Sequence, residues 1–308
     1  MISLGIDIGT TTLRATAIQL KVGPFGKRES ILLGEPLCQF TPYQGAKLDE
    51  SAVLKILETW QIENKIPNPD VGTLLFTGEA QRATNCTEIS RILGDKWDGI
   101  LSAQLNPETE TVLAAMGSGA VQLSAEKLGK SVLHIDVGGG TSNMAWIENG
   151  TIVDTACLDL GSRKWVLDHT GVVLKRTPQG DLLGKPSHFT PETAREMSER
   201  IAKAILSFAE LPRAFVVVPW KKTKKDRPIP ILSLSGGIVD CIKRSPSNPF
   251  EFGDLGPTLG KALVEEAERL GFSVHVSSQE GRATALGISS FGFQVSGNSI
   301  HAERSATL

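Results

Sequence analysis

The sequence predicts an α/β protein with two duplicated lobes. Segments with the alternating apolar pattern of β-strands are interleaved with segments of helical periodicity, an order typical of α/β folds. The same turn also occurs twice: Asp7–Thr12 follows one alternating strand, and Asp136–Ser142 follows another. Each turn combines a carboxylate, glycine and hydroxyl groups, and a β-rich segment comes after it. Two such turns in one chain indicate a duplication.

The residue types in these turns indicate phosphate and metal binding. Glycine permits positive φ and a close approach of the backbone to a ligand, and successive N–H groups of a turn can form an anion-binding nest. Thr10, Thr11 and Thr141 add hydroxyl donors. Asp7 and Asp136 can each hold a hydrated Mg²⁺ through water. For either turn alone the alternative is an ordinary hairpin in which Asp and Gly simply form the turn.

Length and composition indicate a reduced, globular protein. The 308 residues suit two domains, and the 40% hydrophobic content suffices for a full core. With a formal net charge of −2 and 6% aromatic residues, we expect neither nucleic acid nor a membrane as a partner. The four cysteines lie far apart, so we expect reduced thiols and a cytoplasmic location. Met1 runs straight into a strand, so no targeting segment is expected.

The first predicted lobe comprises residues 1–128. Its elements are a hairpin, a strand, a helix, a strand, a helix and a connecting helix rich in small residues. Their predicted ranges are 1–20, about 30–40, 48–60, 71–76, a helix ending near 93, and 107–116.

The second predicted lobe comprises residues 129–280, and residues 281–308 are expected to return to the first lobe with a second connecting helix at 281–291. A Ser-Gly-Gly turn at 235–237 opens a helix. The other predicted elements are strands at 131–159, 214–218, 229–234 and 273–276, a polar loop at 176–191, and helices at 191–210 and 259–270. The basic segment 221–227 is expected to be a solvated hairpin loop.

In this order, the two phosphate turns, the small-residue helices and the Ser-Gly-Gly turn resemble the actin-like ATPase superfamily. The resemblance covers nearly the whole chain. It implies an actin-like, ribonuclease H-like fold with two duplicated lobes around a nucleotide cleft.

Further segments make the chain similar to a narrower group, the EutA family. EutA is the reactivating factor of ethanolamine ammonia-lyase, a coenzyme-cobalamin enzyme. Such proteins usually extend well past residue 308, so we expect a C-terminally shortened relative. The segments that carry the resemblance are the two turns together with residues 77–80, 155–158, 234–237, 252–257 and 282–284.

The resemblance implies ATP or ADP with Mg²⁺ as the cofactor. Asp7 and Asp136 would hold the metal through water, and the two turns would contact the phosphates from opposite sides. Gly236 and Gly237 would let the adenosine approach the backbone. The predicted cofactor-binding residues are Asp7, Gly9, Thr10, Thr11, Asp136, Gly138, Gly139, Gly140, Thr141, Gly236 and Gly237.

Hydrolysis requires a group that orients the attacking water. Three glutamates are candidates: Glu79 after a strand, and Glu108 and Glu110 at the start of the connecting helix. We rank Glu110 and Glu79 above Glu108. For Glu108 and Glu110 the alternative role is to complement the dipole at the helix N-terminus.

The implied activity is slow ATP hydrolysis coupled to lobe opening, which would release damaged cobalamin from ethanolamine ammonia-lyase, in association with a bacterial microcompartment. The sequence does not predict the oligomeric state, and a homo-oligomer stays among the alternatives. The chain has no Asp-x-His-x-x-Gly cobalamin motif. Two alternatives also stay open: a small-molecule kinase with Asp159 or Asp168 as the catalytic aspartate, and a non-catalytic nucleotide-binding scaffold or actin-like filament.

Overall fold

A computed structural model describes residues 1–22, 28–44, 47–77, 80–81, 83–97, 100–103, 106–127, 129–207, 210, 212–222 and 228–277. The chain divides into two compact units, of which one contains Met1–Leu105 and the other Asn106–Ala283. Each unit has its own sheet, and a separate group of buried apolar residues packs in each.

The first unit is built on a five-stranded sheet with the order β3-β2-β1-β6-β7. Strand β2 pairs antiparallel with both β1 and β3. Strand β6 pairs parallel with β1, and β7 pairs parallel with β6. The elements are β1 Ile2–Ile8, β2 Thr12–Val22, β3 Arg28–Phe40, β4 Tyr43–Gln44, β5 Lys47–Leu48, α1 Glu50–Glu63, β6 Val71–Phe76, α2 Cys86–Lys96 and β7 Ile100–Ala103.

Local sequence explains where α1 begins. Asp49 adopts an extended conformation, and its carboxylate accepts the N–H of Ala52, as an N-cap residue should. The helix buries Val53, Leu57 and Trp60, which are spaced along one face. These side chains belong to the same cluster of buried apolar residues as Leu4, Ile6 and Ile8 of β1, so α1 contributes to the core on which the sheet rests.

The second unit is built on a six-stranded sheet with the order β13-β10-β9-β8-β14-β15. The six strands of this sheet are β8 Ser131–Val137, β9 Ser142–Glu148, β10 Thr151–Leu158, β13 Val216–Val218, β14 Ile231–Ser235 and β15 Ser273–Val276. Two further strands, β11 Trp165–Leu167 and β12 Val173–Arg176, form a separate two-stranded sheet. The helices of this unit are α3 Pro107–Gly117, α4 Ala120–Glu126, α5 Pro178–Leu183, α6 Pro191–Leu206, α7 Gly237–Arg244 and α8 Gly256–Arg269, and a short 3₁₀ turn spans Arg213–Phe215.

The two sheets share one topology. In each, an antiparallel hairpin carries a third antiparallel strand on one side and two parallel strands on the other: β3-β2-β1-β6-β7 corresponds to β10-β9-β8-β14-β15. The α/β class and the predicted duplication are therefore confirmed. Strand β13 is an addition at the edge of the second sheet, on β10.

Several elements differ from those that the sequence predicts. The polar segment 176–191 contains helix α5, which Thr177 caps through the N–H of Gly180. Helix α6 ends at Leu206, earlier than predicted, and α8 begins at Gly256, with Pro257 in its first turn. Elements β7, α4, β11 and β12 were not predicted, because they are short and lack a clear period.

Helix α3, which we assigned to the first lobe, packs on β8, β9 and β10, so the second unit includes residues before 129. The predicted return segment 281–308 lies outside the described residues. None of the helices in the described ranges combines the length and the apolar character that a bilayer crossing needs.

Candidate functional site

The first turn joins β1 to β2. Asp7 lies near the end of β1 and is almost fully buried, and the hydroxyl of Thr77 donates to its carboxylate at 2.9 Å. The guanidinium of Arg14, on the neighbouring strand, lies 3.8 Å from the same carboxylate. The carboxylate of Asp7 thus lies between a hydroxyl donor and a cation, and carboxylate oxygens are ligands that Mg²⁺ prefers.

The second turn joins β8 to β9 in the same way. Asp136 precedes the last residue of β8 and is buried, and the hydroxyl of Ser235 donates to its carboxylate at 2.5 Å. Ser235 stands opposite Asp136 in the parallel register of β14 and β8. Both turns therefore place a buried carboxylate at the end of a strand and hold it with a hydroxyl from the adjacent parallel strand or from the residue that follows it.

The backbone of the two turns is also equivalent. The N–H of Gly9 donates to the carbonyl oxygen of Thr12 at 2.9 Å, and that of Gly138 donates to Thr141 at 3.0 Å. None of the glycines 9, 138, 139 and 140 takes a positive φ, so these turns do not use the positive φ that glycine permits. Because the first N–H of each turn closes the hairpin, N–H donors for a phosphate must come from the residues that follow.

In each sheet, the loop that follows the third antiparallel strand, β3 or β10, donates hydrogen bonds to carbonyl groups of the turn. Thr41, after β3, donates its hydroxyl to the carbonyl oxygen of Gly9 at 2.7 Å. After β10, the N–H groups of Ser162 and Arg163 donate to the carbonyl oxygens of Gly138 and Gly139 at 3.1 and 2.7 Å. These donors fix the orientation of the turn carbonyl groups.

Glycine is required at position 161 for this contact. A Cβ on Gly161 would lie 2.5 Å from the carbonyl oxygens of both Gly138 and Gly139, far inside van der Waals contact. The loop of residues 161–163 can therefore reach the second turn only because its first residue has no side chain.

The Ser-Gly-Gly turn packs directly on the second phosphate turn. Gly236 has a φ of +87°, and a Cβ there would lie 2.5 Å from the carbonyl oxygen of Val137. Gly237 opens helix α7. Gly236 thus meets two demands that only glycine satisfies, a left-handed φ and contact with a neighbouring backbone.

An imidazole lies behind Asp136. His134 is fully buried on β8, and its ring nitrogens lie 3.2 Å from the hydroxyl of Ser233 and 3.1 Å from that of Ser235. Burial lowers the pKa of His134 to about 3, so the ring is neutral at neutral pH.

Two of the three candidate glutamates lie in the described residues, on the first turn of α3. Glu108 pairs at 3.0 Å with Lys221, whose side chain is exposed. Glu110 is half-buried, and its charge helps to raise the pKa of Cys157 on β10 to about 12, an effect due mainly to burial of the thiol. Glu110 therefore faces the end of β10 that leads to residues 161–163. Glu79 lies outside the described residues.

The two aspartates of the kinase alternative have structural partners. Asp159 forms an ion pair with Lys164, whose side chain is almost fully buried. Asp168 accepts the N–H groups of Thr170 and Val172, each at 2.9 Å, and the Thr170 hydroxyl at 2.7 Å. These contacts lower the pKa of Asp168 and show a carboxylate that shapes its own loop.

A family comparison decides which group the chain joins. The model of the family described as ethanolamine utilisation protein EutA matches residues 1–307. The chain belongs to the EutA family. Two curated relatives, the ethanolamine ammonia-lyase reactivases EutA of Salmonella typhimurium and of Escherichia coli, are each 31% identical to it. Each match covers 98% of this chain and 70% of the relative.

Solved structures support the same fold for this EutA-family chain. Component A of (R)-2-hydroxyglutaryl-CoA dehydratase from Acidaminococcus fermentans matches with a TM-score of 0.54 and 14% identity, covering 96% of this chain and 98% of that one. The activator of 2-hydroxyisocaproyl-CoA dehydratase from Clostridium difficile, with bound ADPNP, matches with 0.51 and 12%, covering 98% of each. An exopolyphosphatase-like protein matches with 0.59 and 12%, covering 96% and 98%. These likenesses confirm the predicted fold.

The described residues fit a phosphate ligand and a hard cation. The hydroxyl oxygen of Thr11 is buried and has no hydrogen-bond partner among the described residues, so it is available to a ligand. Carboxylate oxygens such as those of Asp7 and Asp136 are ligands that Mg²⁺ prefers. No group of three or more His, Cys, Asp or Glu side chains suited to a metal lies together in the described ranges.

Sequence reasoning missed the residues that support the EutA-family turns. Arg14 could have been found as a charged residue inside an otherwise apolar strand, a position where a charge needs a partner. Thr41, Ser162 and Asp254 carry no such signal, because their partners lie far away in the chain. The hydroxyl of Ser162 donates to the buried carboxylate of Asp254, which belongs to the segment 252–257 that marks the family resemblance.

Proposed function

We propose that this chain is an ATP-dependent reactivating factor for ethanolamine ammonia-lyase that promotes the release of damaged cobalamin. The observation that carries the proposal is the EutA family match over residues 1–307, in a chain whose two turns have matching carboxylates and hairpin hydrogen bonds. Two curated relatives are named as reactivases of that enzyme.

Each turn has a defined part in nucleotide binding. Asp7 and Asp136 hold Mg²⁺ through water, with their carboxylates oriented by Thr77 and Ser235. Mg²⁺, when bound, supplies positive charge that neutralises the phosphates. The phosphates would receive hydroxyl groups and the N–H groups that follow Gly9 and Gly138, since the N–H groups of those two glycines close the hairpins. The adenosine would lie against Gly236 and Gly237. The residues assigned to the phosphates are Gly9, Thr10, Thr11, Gly138, Gly139, Gly140 and Thr141, of which Gly9 and Gly138 permit a close approach.

Glu110 is the first candidate for the residue that orients water. Glu108 and Glu110 are both half-buried in the first turn of α3, and the charge of Glu110 acts on Cys157, near the end of β10. That strand leads to residues 161–163, which contact the second turn, and this is why Glu110 ranks first. Glu108 instead pairs with the exposed Lys221. Glu79 remains the second candidate because it follows Thr77, whose hydroxyl contacts Asp7.

The proposed activity is slow ATP hydrolysis that shifts the equilibrium between open and closed lobes. A protein with one phosphate turn on each lobe binds ATP best when the lobes are closed, and loses contacts when the γ-phosphate leaves. Only a difference in affinity between the open and closed states can shift their equilibrium. The reactivating step would then be the opening of the ammonia-lyase by this shift.

A thermal shift with phosphate release tests nucleotide use. The chain is heated with Mg-ATP, with Mg-ADP and without nucleotide, and phosphate release is followed on the same sample. We expect stabilisation by both nucleotides, since a ligand that binds only the folded state raises its stability, together with slow release. The absence of any shift would contradict the proposed nucleotide site.

Reactivation of inactivated ethanolamine ammonia-lyase tests the partner. We expect recovery of lyase activity when this chain, Mg-ATP and intact cobalamin are added, and no recovery without ATP. The Glu110→Gln variant should bind ATP with near-normal affinity. It should release phosphate ~10²-fold more slowly than the unmodified chain, at the lower end of the range for a positioned acid–base group. Glu108→Gln serves as the matched control from the same helical turn, and Glu79→Gln tests the second candidate.

The same assays separate the alternative functions. A small-molecule kinase would release ADP only when an acceptor is present, and Asp159→Asn or Asp168→Asn would abolish that release. A scaffold or filament would bind nucleotide without turnover. Because both aspartates already have structural partners, no observation of the described residues favours the kinase.

A further inference from the structure

A chain of buried hydrogen bonds runs from Asp136 into the core of the second unit. The hydroxyl of Ser235 donates to the Asp136 carboxylate at 2.5 Å, and Nε2 of His134 lies 3.1 Å from the same hydroxyl. On the other side of the ring, Nδ1 lies 3.2 Å from the hydroxyl of Ser233. All four residues are buried.

Proton counting gives this chain a direction. A serine hydroxyl has one proton, and that of Ser235 is committed to the carboxylate of Asp136 at the shorter distance. The Ser235 oxygen can therefore only accept from the ring, and it does so when the His134 proton is on Nε2. In that tautomer Nδ1 can accept from the hydroxyl of Ser233 at 3.2 Å or from that of Ser118 at 3.4 Å. The bond from Ser235 then holds the Asp136 carboxylate in one orientation.

Ser235 also belongs to a second proposed binding element. It is the residue before Gly236, whose backbone contacts that of Val137 so closely that a Cβ would lie 2.5 Å from the Val137 carbonyl oxygen. Ser235 and Asp136 are register partners on β14 and β8. The turn assigned to adenosine and the carboxylate assigned to the metal are thus joined by one hydroxyl and one backbone contact.

We propose that Ser235 and His134 are positioning residues that couple Mg²⁺ binding at Asp136 to adenosine binding at Gly236–Gly237. This inference rests on the proposed function. A purely structural role would instead make these residues part of a packed polar core, with no effect that depends on the metal. The two roles differ in one measurable quantity, the factor by which Mg²⁺ tightens nucleotide binding.

Calorimetric titration of ADP with Mg²⁺ and with EDTA measures that factor. We expect Mg²⁺ to tighten ADP binding in the unmodified chain. In Ser235→Ala this tightening should fall by ~10-fold, within the usual range of coupling between sites, while the affinity in EDTA changes little. Ser235→Thr keeps the hydroxyl and should restore most of the tightening.

Two further comparisons separate positioning from folding. His134→Gln keeps an N–H donor near Ser235 and should retain more of the Mg²⁺ effect than His134→Leu, which has no donor. Ser233→Ala is the matched control, because it removes a hydroxyl from the same strand and the same ring but leaves the bond between Ser235 and Asp136. Melting of each variant without nucleotide identifies any that fail to fold. Among those that fold, the difference in the Mg²⁺ effect on ADP binding between His134→Gln and His134→Leu decides between a positioning role and a purely structural one.

The outcomes distinguish the inference from the proposed function. If the unmodified chain binds no nucleotide, the proposed function fails and the inference fails with it. If the unmodified chain binds Mg-ADP but Ser235→Ala keeps the full Mg²⁺ effect, or loses affinity equally with and without metal, the inference alone is overturned. An equal loss of the Mg²⁺ effect in Ser233→Ala would also contradict it.

Discussion

The hydroxyl of Ser162 donates to the carboxylate of Asp254 at 3.2 Å, although 92 residues separate them in the chain. The same carboxylate accepts the N–H of Gly256 at 2.7 Å, at the start of α8. Ser162 in turn holds the carbonyl oxygen of Gly138 through its own N–H. Asp254 therefore links the segment 252–257 to the second phosphate turn through a single intermediate residue.

Loss of the Asp254 carboxylate should destabilise the protein. Asp254→Ala leaves the Ser162 hydroxyl and the Gly256 N–H without their acceptor in a buried site, at ~1–3 kcal/mol for each unsatisfied group. Asp254→Asn keeps an acceptor oxygen and should lose less. Urea denaturation gives both free energies of unfolding, and Asp95→Ala, on the exposed face of α2, is the control, expected within ~1 kcal/mol of the parent chain. An Asp254→Ala variant as stable as this control contradicts the role assigned to Asp254.

The stability of the protein should depend on pH through the same carboxyl group. Burial raises the pKa of Asp254 above the ordinary aspartate value of 3.8, and neighbouring Arg163 only partly opposes this. A carboxyl whose pKa is higher in the folded state binds its proton more tightly there, so its contribution is fully favourable below 3.8 and is lost as the pH rises through the folded pKa.

Denaturation of the parent chain and of Asp254→Asn over a pH series measures this contribution. The difference in unfolding free energy between them should shift in favour of the parent as the pH falls toward 3.8. Asparagine does not titrate, so the comparison cancels the other acidic groups. A constant difference across the series contradicts the raised pKa.

Gly236 should be intolerant of a side chain. Gly236→Ala places a Cβ 2.5 Å from the carbonyl oxygen of Val137 and forces a left-handed φ, so we expect a loss of stability of several kcal/mol or displacement of the turn. Gly119→Ala is the control for a positive φ alone, because Gly119 has φ +83° and ψ 5° and nothing lies within 4 Å of its Cβ. Its cost should be limited to the backbone strain, ~1–2 kcal/mol. Gly236 combines φ +87° with ψ −172°, a region essentially restricted to glycine, so its variant should lose more through both the backbone and the Val137 contact. Thermal unfolding compares the two, and equal losses would contradict both sources of the extra cost.

Removal of the Asp7 carboxylate should abolish nucleotide stabilisation without unfolding the first unit. Asp7→Ala deprives Thr77 of its acceptor, whereas Asp7→Asn preserves an acceptor. Both variants also remove the charge that lies 3.8 Å from the buried Arg14, so each is first melted without nucleotide and its thermal shift is measured from its own melting temperature. Both variants should lose the thermal shift that Mg-ATP produces, because the charge is the element that interacts with the metal. Unchanged ATP binding in Asp7→Ala would contradict the metal-binding role assigned to Asp7.

Local patterns were enough to predict the class, the duplication and most long elements. Strands such as Val71–Phe76 and Ser273–Val276 and the connecting helix from Pro107 were predicted nearly to the residue, because periodicity and turn residues lie within a few positions of each other. Short elements such as β7 and α4 were missed, since tertiary contacts rather than propensity determine them.

The interior of the candidate site could be predicted only in part. The carboxylates and glycines stand in contiguous motifs, so the sequence displays them directly. Their supports are different: Thr41 contacts Gly9 across 32 residues, and His134 contacts Ser235 across 101. Such pairs follow from strand order and register, which a single sequence does not reveal. Nor did the glycine motif indicate that Gly9 and Gly138 avoid positive φ.

The loops that hold the two turns from behind differ in their vulnerability to mutation. In the first unit the carbonyl oxygen of Gly9 is held by a side chain, the hydroxyl of Thr41, which one codon change can delete. In the second unit the carbonyls of Gly138 and Gly139 are held by backbone N–H groups of residues 162 and 163, which only proline at those positions would remove. The first turn also accepts the backbone N–H of Thr41 at Thr11, and the second turn is reached only because position 161 has no side chain. A substitution that deletes a hydroxyl should therefore weaken the support of the first turn, whereas one that adds a Cβ at position 161 should weaken that of the second.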